Sequence, residues 1–443
     1  MPTESDPIMR SPLSRPTRGR AAVLGLAAAL VASATVLPAA GAFASEGLVV
    51  FCPPATQKVG VAVDEYINDA EEGSGIGSVL AGSLPPGISL VQVPTLGAKY
   101  KGTPTTPGHY DFTLRMTTTG GTPDDKACSV NVVAGDWATD RIGGVDRYES
   151  SVLVSETAVA APSSTVYIAS GENFADALSV SAIAAARKAP LLLTSSASVS
   201  TRVSESVVRY RPTDIVVIGG ENTIKQTVLD QIHAAVPAAT ITRIGGVDRY
   251  AVSRSLITNA KFGAPASTSL FVASGQVFPD ALSASPAAAL MPAPVLLVNG
   301  SATHLAPEDV ALITARGVNR SFVFGGSDTL SSGIENDLRS TAGSVERIEG
   351  VNRYVGSAKV AARFFTTASP SNTVYLATGA TYPDALAGGV LAGVKKSPIL
   401  LVGKSCMTAE VAAEVRRLNP AKLVLLGGPN SLDATLTNLP VCA

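Results

Sequence analysis

The chain has 443 residues, of which 46% are hydrophobic, 16% charged and only 5% aromatic, and its formal net charge is −1. This composition excludes a disordered or collagen-like chain, and the balanced charge leaves no global basic field to draw in nucleic acid or anionic lipid. With so few aromatic residues, the interior has to be built from Val, Ile, Leu and Ala, which suits buried parallel strands covered by Ala-rich helices.

In chain order, residues 1–44 read as a secretory signal. Arg10, Arg15, Arg18 and Arg20 form a basic stretch, Ala21 to Val36 an apolar one, and Ala42-Phe43-Ala44 a small-x-small cleavage site. The mature chain is expected to start at Ser45, with 30 basic and 33 acidic side chains left once the signal's four arginines and two acids are gone. An exported chain with four cysteines is expected to hold two disulfides, and pairing within each segment joins Cys52 to Cys128 and Cys406 to Cys442. No membrane span is expected after signal cleavage.

Residues 45–134 differ from the rest. Gly, Pro and Thr clusters separate short alternating runs such as HYDFTLRMT (109–117) and CSVNVVA (128–134), the pattern of a small all-β sandwich. The strings LPPGISL (84–90) and YKGTPTTPGHYDFTLRMT (100–117) resemble an Ig-like family common in bacterial surface proteins. That resemblance implies a spacer or an adhesion module with a protein partner.

From residue 139 onward the chain repeats itself three times. RIGGVDRY stands at 141–148 and at 243–250, and RIEGVNRY at 347–354; NFADALS, VFPDALS and TYPDALA place Asp176, Asp280 and Asp384 at equal spacing. APLLLT, APVLLV and SPILLV follow, then runs ending in the paired glycines Gly219-Gly220, Gly325-Gly326 and Gly427-Gly428. Four landmarks in one order define a repeat of about a hundred residues. Units are expected at 139–240, 241–344 and 345–443. Within the second, STSLFVASG, FPDALSASPAAAL, PAPVLLVNG, PEDVALITARG and RSFVFGG alternate strand with helix, so each unit is read as α/β, a doubly wound parallel sheet with its own core. Residues 281–300 lack charge, but Pro286, Pro292 and Pro294 interrupt them and the matching positions hold Arg187-Lys188 and Lys395-Lys396, which predicts a buried helix and strand.

Three tandem units with these landmarks resemble the type 2 cell wall binding repeat of Gram-positive surface proteins. The resemblance covers about 139–443. It implies a pseudo-threefold arrangement and a secreted protein held non-covalently at the cell surface by an anionic wall polymer or peptidoglycan. The third copy departs from the pattern at Glu349 and Asn352, and the first has Ala175 where the others have Pro279 and Pro383, so equal affinity of the three copies is not implied.

Each recurring group has two readings. Arg141 and Arg147, Arg243 and Arg249, and Arg347 and Arg353 carry guanidinium forks that suit phosphate or carboxylate, or else they lock one unit against the next. Asp176, Asp280 and Asp384 follow a strand and open a helix, as N-terminal caps or as acceptors of a sugar hydroxyl. The paired glycines form a tight turn whose amides can hold an anion, with Asn222, Asp328 and Asn430 read as the caps that follow.

Catalytic patterns are missing from the sequence. His109, His233 and His304 occupy unmatched positions, and no HExxH, GxSxG or phosphate-binding glycine motif is present. No cofactor is expected, and a non-catalytic binding role is the primary reading, since linked weak sites multiply avidity whereas catalysis gains little from three copies. The alternatives are a peptidoglycan hydrolase or hydrolase modifier and an adhesin acting through the Ig-like region.

Overall fold

A computed structural model describes residues 49–442 except 60, 69–74, 118–121, 134, 136 and 367–371; the secretory signal expected over 1–44 lies outside the described residues. Strands β1 (Thr56–Lys58), β2 (Val63–Tyr66), β3 (Ile76–Gly82), β4 (Ile88–Val93), β5 (Gly97–Gly102), β6 (Gly108–Thr117) and β7 (Asp124–Val133) form two sheets ordered β1-β7-β6-β3 and β2-β5-β4. Along β6 and β7, Phe112, Leu114, Met116, Cys128, Val130 and Val132 alternate inward onto one small core, closed from the second sheet by Ala98 and Tyr100. Disulfides join Cys52 to Cys128 and Cys406 to Cys442.

Strand β8 (Ala138–Ile142) opens the repeat region. The first unit continues with α1 (Arg147–Ala158), β9 (Thr165–Ser170), α2 (Phe174–Arg187), β10 (Leu191–Thr194), α3 (Thr201–Tyr210), β11 (Asp214–Ile218), α4 (Gln226–Ala235) and β12 (Thr240–Ile244). The second runs through α5 (Arg249–Thr258), β13 (Ser269–Ser274), α6 (Pro279–Leu290), β14 (Val295–Val298), α7 (Pro307–Ala315), β15 (Arg320–Phe324), α8 (Ser332–Ala342) and β16 (Ser344–Ile348). The third comprises α9 (Arg353–Phe364), β17 (Thr373–Thr378), α10 (Pro383–Val394), β18 (Ile399–Val402), α11 (Ala409–Leu418), β19 (Lys422–Leu426) and a short 3₁₀ turn at Ala434–Asn438.

Each sheet is parallel, and the orders β10-β9-β11-β12, β14-β13-β15-β16 and β18-β17-β19-β8 repeat one topology. The last strand of every sheet is the Arg-Ile strand of the eight-residue string. β12 pairs with β11, β16 with β15, and β8, from the start of the region, with β19 at its end, Ile142 opposite Leu426. The unit boundaries expected at 240/241 and 344/345 therefore fall inside strands that complete the preceding sheet. The first strand closes the ring.

Both faces of the other three strands of each sheet are buried, as parallel sheets require, whereas the Arg-Ile strands β8, β12 and β16 are only partly covered. Tyr167, Ala169, Leu191, Leu193, Val216 and Ile218 face a core shared by all three units, whereas Val166, Ile168, Leu192, Ile215 and Val217 face an outer core under α3 and α4. α3 shows why: Val203, Ser206, Val207 and Tyr210 recur at helical spacing on its one buried face. α2, α6 and α10 are buried nearly all round and pack on one another, their Ala, Ser and Gly residues permitting close approach. No helix among the described residues is long and apolar enough to cross a membrane. The uncharged stretch 281–300 is the buried helix α6 and the buried strand β14.

Candidate seam clefts at the strand ends

The winding of each sheet reverses between its two central strands, because α2 covers the inner face and α4 the outer one. Loops leaving the C-terminal ends of such a strand pair diverge and leave a crevice. In the first unit the crevice lies where α2 begins beside the Gly219-Gly220 turn, and the loop Gly246-Val247-Asp248-Arg249 walls it, giving a cleft of about 610 Å³. The equivalent cleft of about 600 Å³ lies between Asp384 and the Gly428 turn on one side and residues 143–150 on the other. These clefts are seams, each built from the end of one unit and the start of the next.

The aspartates do not cap their helices. Asp176, Asp280 and Asp384 sit within the first turn, largely buried, with their carboxylates beneath the paired glycines. Burial pushes all three carboxyls above the usual range, and the guanidinium of Arg249, Arg353 or Arg147, respectively, pulls against that shift, as do hydroxyls of Thr223, Thr329, Ser150 and Ser431. The first glycine of each pair has φ of +113°, +107° or +112°, and a Cβ there would meet the aspartate oxygen at 2.5, 2.5 or 2.4 Å. Only glycine fits both constraints. A Cβ on Gly220 or Gly428 would meet only a carbonyl, at 3.7 or 3.6 Å, whereas on Gly326 it would meet the Glu349 carboxylate at 3.5 Å.

The six arginines are committed to backbone carbonyls. Arg141, Arg243 and Arg347 donate from Nη1 to the first glycine of the pair, at 2.7 Å to Gly427, 3.0 Å to Gly219 and 2.6 Å to Gly325. Arg147, Arg249 and Arg353 donate to Gly171, Gly275 and Gly379 at the ends of β9, β13 and β17, at 2.7, 2.6 and 2.7 Å. Arg249 and Arg353 also lie over the rings of Phe174 and Phe278. Phe174, Phe278 and Tyr382 form a triangle of rings with centroids 5.6 to 5.8 Å apart, which marks the threefold axis.

Asn222, Asp328 and Asn430 lie in turns and cap no helix, contrary to the sequence expectation; Lys225 and Ser331 precede α4 and α8, and no α-helix follows Asn430. The caps are inside the eight-residue string. Asp146 accepts from the amides of Tyr148 and Glu149, Asp248 from Tyr250 and Ala251, and Asn352 from Tyr354 and Val355. An Asp or Asn just before a helical run was the available signal. Beside these caps, Val145, Val247 and Val351 are 94, 96 and 92% exposed, one at the rim of each seam.

Each of the two large clefts holds three carboxyls and one guanidinium: Asp176, Glu221, Asp248 and Arg249 in one, and Asp146, Glu149, Asp384 and Arg147 in the other. Acceptors beside an aromatic ring suit the hydroxyls and apolar face of a sugar better than a phosphate. Among the described residues no group of three or more His, Cys, Asp or Glu side chains is arranged to hold a metal ion.

A family model described as Cell wall binding domain 2 matches residues 141–229, 243–335 and 347–437, more than half of the chain. The chain is 27% identical over 303 residues to the N-acetylmuramoyl-L-alanine amidase LytC of Bacillus subtilis, covering 68% of this chain and 58% of that protein. It is 28% identical over 302 residues to the amidase enhancer of the same organism, covering 68% and 40%. It thus spans less than two thirds of the length of these relatives. Among solved structures, Cwp6 from Clostridium difficile matches 89% of this chain and 68% of its own with a TM-score of 0.63 at 19% identity, a likeness of fold.

Proposed function

The chain belongs to the cell wall binding domain 2 family, and from that premise we propose that its three repeats hold it non-covalently to an anionic polymer of the wall. Association with the cell surface follows from the family. Export through a signal over 1–44 and a spacer role for the β region are part of the same proposal.

The observation that carries this reading is repetition of one crevice at one end of a closed ring. A chain-like ligand gripped weakly at several seams gains avidity by a factor of about 10² to 10⁴ when the sites engage together. In the two clefts, Asp176 and Asp384 act from beneath the glycine turns, so Gly220 and Gly428 present backbone to the ligand while the aspartates fix the turn; Asp280 and Gly326 hold the matching places at the remaining seam. Arg147, Arg249 and Arg353 brace the cleft walls. Arg141, Arg243 and Arg347 join the Arg-Ile strands to the turns Gly427-Gly428, Gly219-Gly220 and Gly325-Gly326 and serve the scaffold.

Sedimentation of the mature protein with isolated Gram-positive walls tests the proposal. The protein should pellet with native walls and stay in solution with walls stripped of secondary polymers by acid; equal recovery in both pellets removes the polymer from the reading. A zymogram of the same preparation should show no lytic band. A band there would favour the hydrolase alternative that the amidase relatives raise.

A further inference from the structure

The three inner helices converge as they run away from the clefts. A Cβ built on Gly393 in α10 would stand 2.7 Å from the Cβ of Ala185 in α2 and 2.8 Å from that of Ala289 in α6. Helix α2, with 14 residues, is about 21 Å long, so this meeting point lies near the opposite end of the axis from the Phe174, Phe278 and Tyr382 triangle. Three residues further on, each segment leaves its helix through a residue with positive φ: Lys188 at +52°, Pro292 at +24° and Lys396 at +54°.

Glycine is the usual occupant of such a position, since any Cβ is strained there. Here two of the three are lysines, each preceded by a second base, Arg187 and Lys395, and all four are exposed. Among the described residues neither Lys188 nor Lys395 is paired with a carboxylate. Asp214 and Asp140, acids on the strands that start at this end, are taken up by Lys261 and Lys422. The helix dipole favours a base in the last turn but does not ask for one at the strained residue. The second unit makes the same reversal with Met291 and Pro292, so the turn itself does not need the charge.

We propose that this end of the threefold axis is a polyanion-binding surface, where Arg187, Lys188, Lys395 and Lys396 hold the phosphodiester or carboxylate groups of an anionic polymer. The clefts, with three carboxyls to each guanidinium, suit the sugar hydroxyls of such a polymer and leave its charged groups to this surface. The chemistry of the surface stands on the residues above; only its assignment to a wall polymer rests on the wall-binding reading.

The test is titration of the mature protein with inorganic polyphosphate and with polygalacturonate, between about 50 mM and about 200 mM salt, alongside wall sedimentation. Wild type should bind with steep salt dependence, and the tighter of the two probes identifies the phosphodiester or the carboxylate as the group recognised. A double Lys188→Gly, Lys396→Gly variant relieves the strained turns and so keeps the fold. It should bind about tenfold more weakly at the lower salt and be less retained by walls, whereas Lys188→Arg with Lys396→Arg should bind as wild type does. Pro292→Lys, which adds a third cation, should strengthen binding. Unchanged polyphosphate affinity in a glycine variant of intact thermal midpoint overturns the surface, even if wild type pellets with walls. Polyphosphate binding by a wild type that ignores walls sinks the wall-binding reading and leaves the surface supported.

Discussion

The paired glycines show how much one methyl group decides. At Gly219, Gly325 and Gly427 a left-handed backbone and an aspartate oxygen both exclude a side chain, while the neighbouring Gly220 and Gly428 face open space. Alanine at the first position should therefore cost about 2 kcal/mol or more, and at Gly220 or Gly428 within about 0.5 kcal/mol of nothing, measured by urea unfolding. The buried aspartates give a pH prediction. Burial raises their folded-state pKa, so the folded protein holds these protons more tightly than the unfolded chain, and the three groups oppose folding at neutral pH. That penalty is absent below the unfolded value and grows as pH rises through the folded one. Asp176→Asn should raise the thermal midpoint at neutral pH, with the gain shrinking as the solution is acidified; a gain independent of pH would remove titration as its cause.

At the scale of the element, the edge strands explain a set of serines that carries no obvious motif. β10, β14 and β18 each end a sheet, and an exposed row of amides there invites pairing with another chain. Ser151, Ser253 and Ser357, buried on the covering helices α1, α5 and α9, accept from the amides of Leu193, Leu297 and Leu401 at 2.9, 3.1 and 3.0 Å. Ser→Ala at any of them leaves a buried amide without an acceptor and should cost about 1 to 3 kcal/mol, with faster hydrogen exchange at that leucine. The alternation of strand and helix was legible in the sequence because buried β-branched runs and Ala-rich stretches differ in period and composition. The serine contacts were not, since each bridges elements about forty residues apart.

For the molecule as a whole, the shared core and the closure of β8 on β19 bind the three sheets into one cooperative body. The repeat region should unfold in a single calorimetric transition rather than three. Gly393→Leu, which forces a side chain into the meeting of α2, α6 and α10, should destabilise all three units together by about 3 kcal/mol. Three separable transitions would show that the ring is held by its linkers alone. A solenoid of small repeats would unravel from its ends; here the first strand of the repeat region, β8, pairs with its last, β19.

The sequence by itself determined the local grammar: three copies, parallel strands in the order of their apolar runs, glycines at the turns and bases at positions 187, 188, 395 and 396. Local periodicity and steric rules act over a few residues and can be read from a single chain. Tertiary structure alone decided which sheet each Arg-Ile strand joins, that Asp176, Asp280 and Asp384 are buried beneath a turn instead of capping a helix, and that Lys188 and Lys396 leave the helices near one axis. Those outcomes depend on partners tens to hundreds of residues away, such as Ile142 beside Leu426, and pairing at that distance is set by how the apolar faces of whole units close on one another.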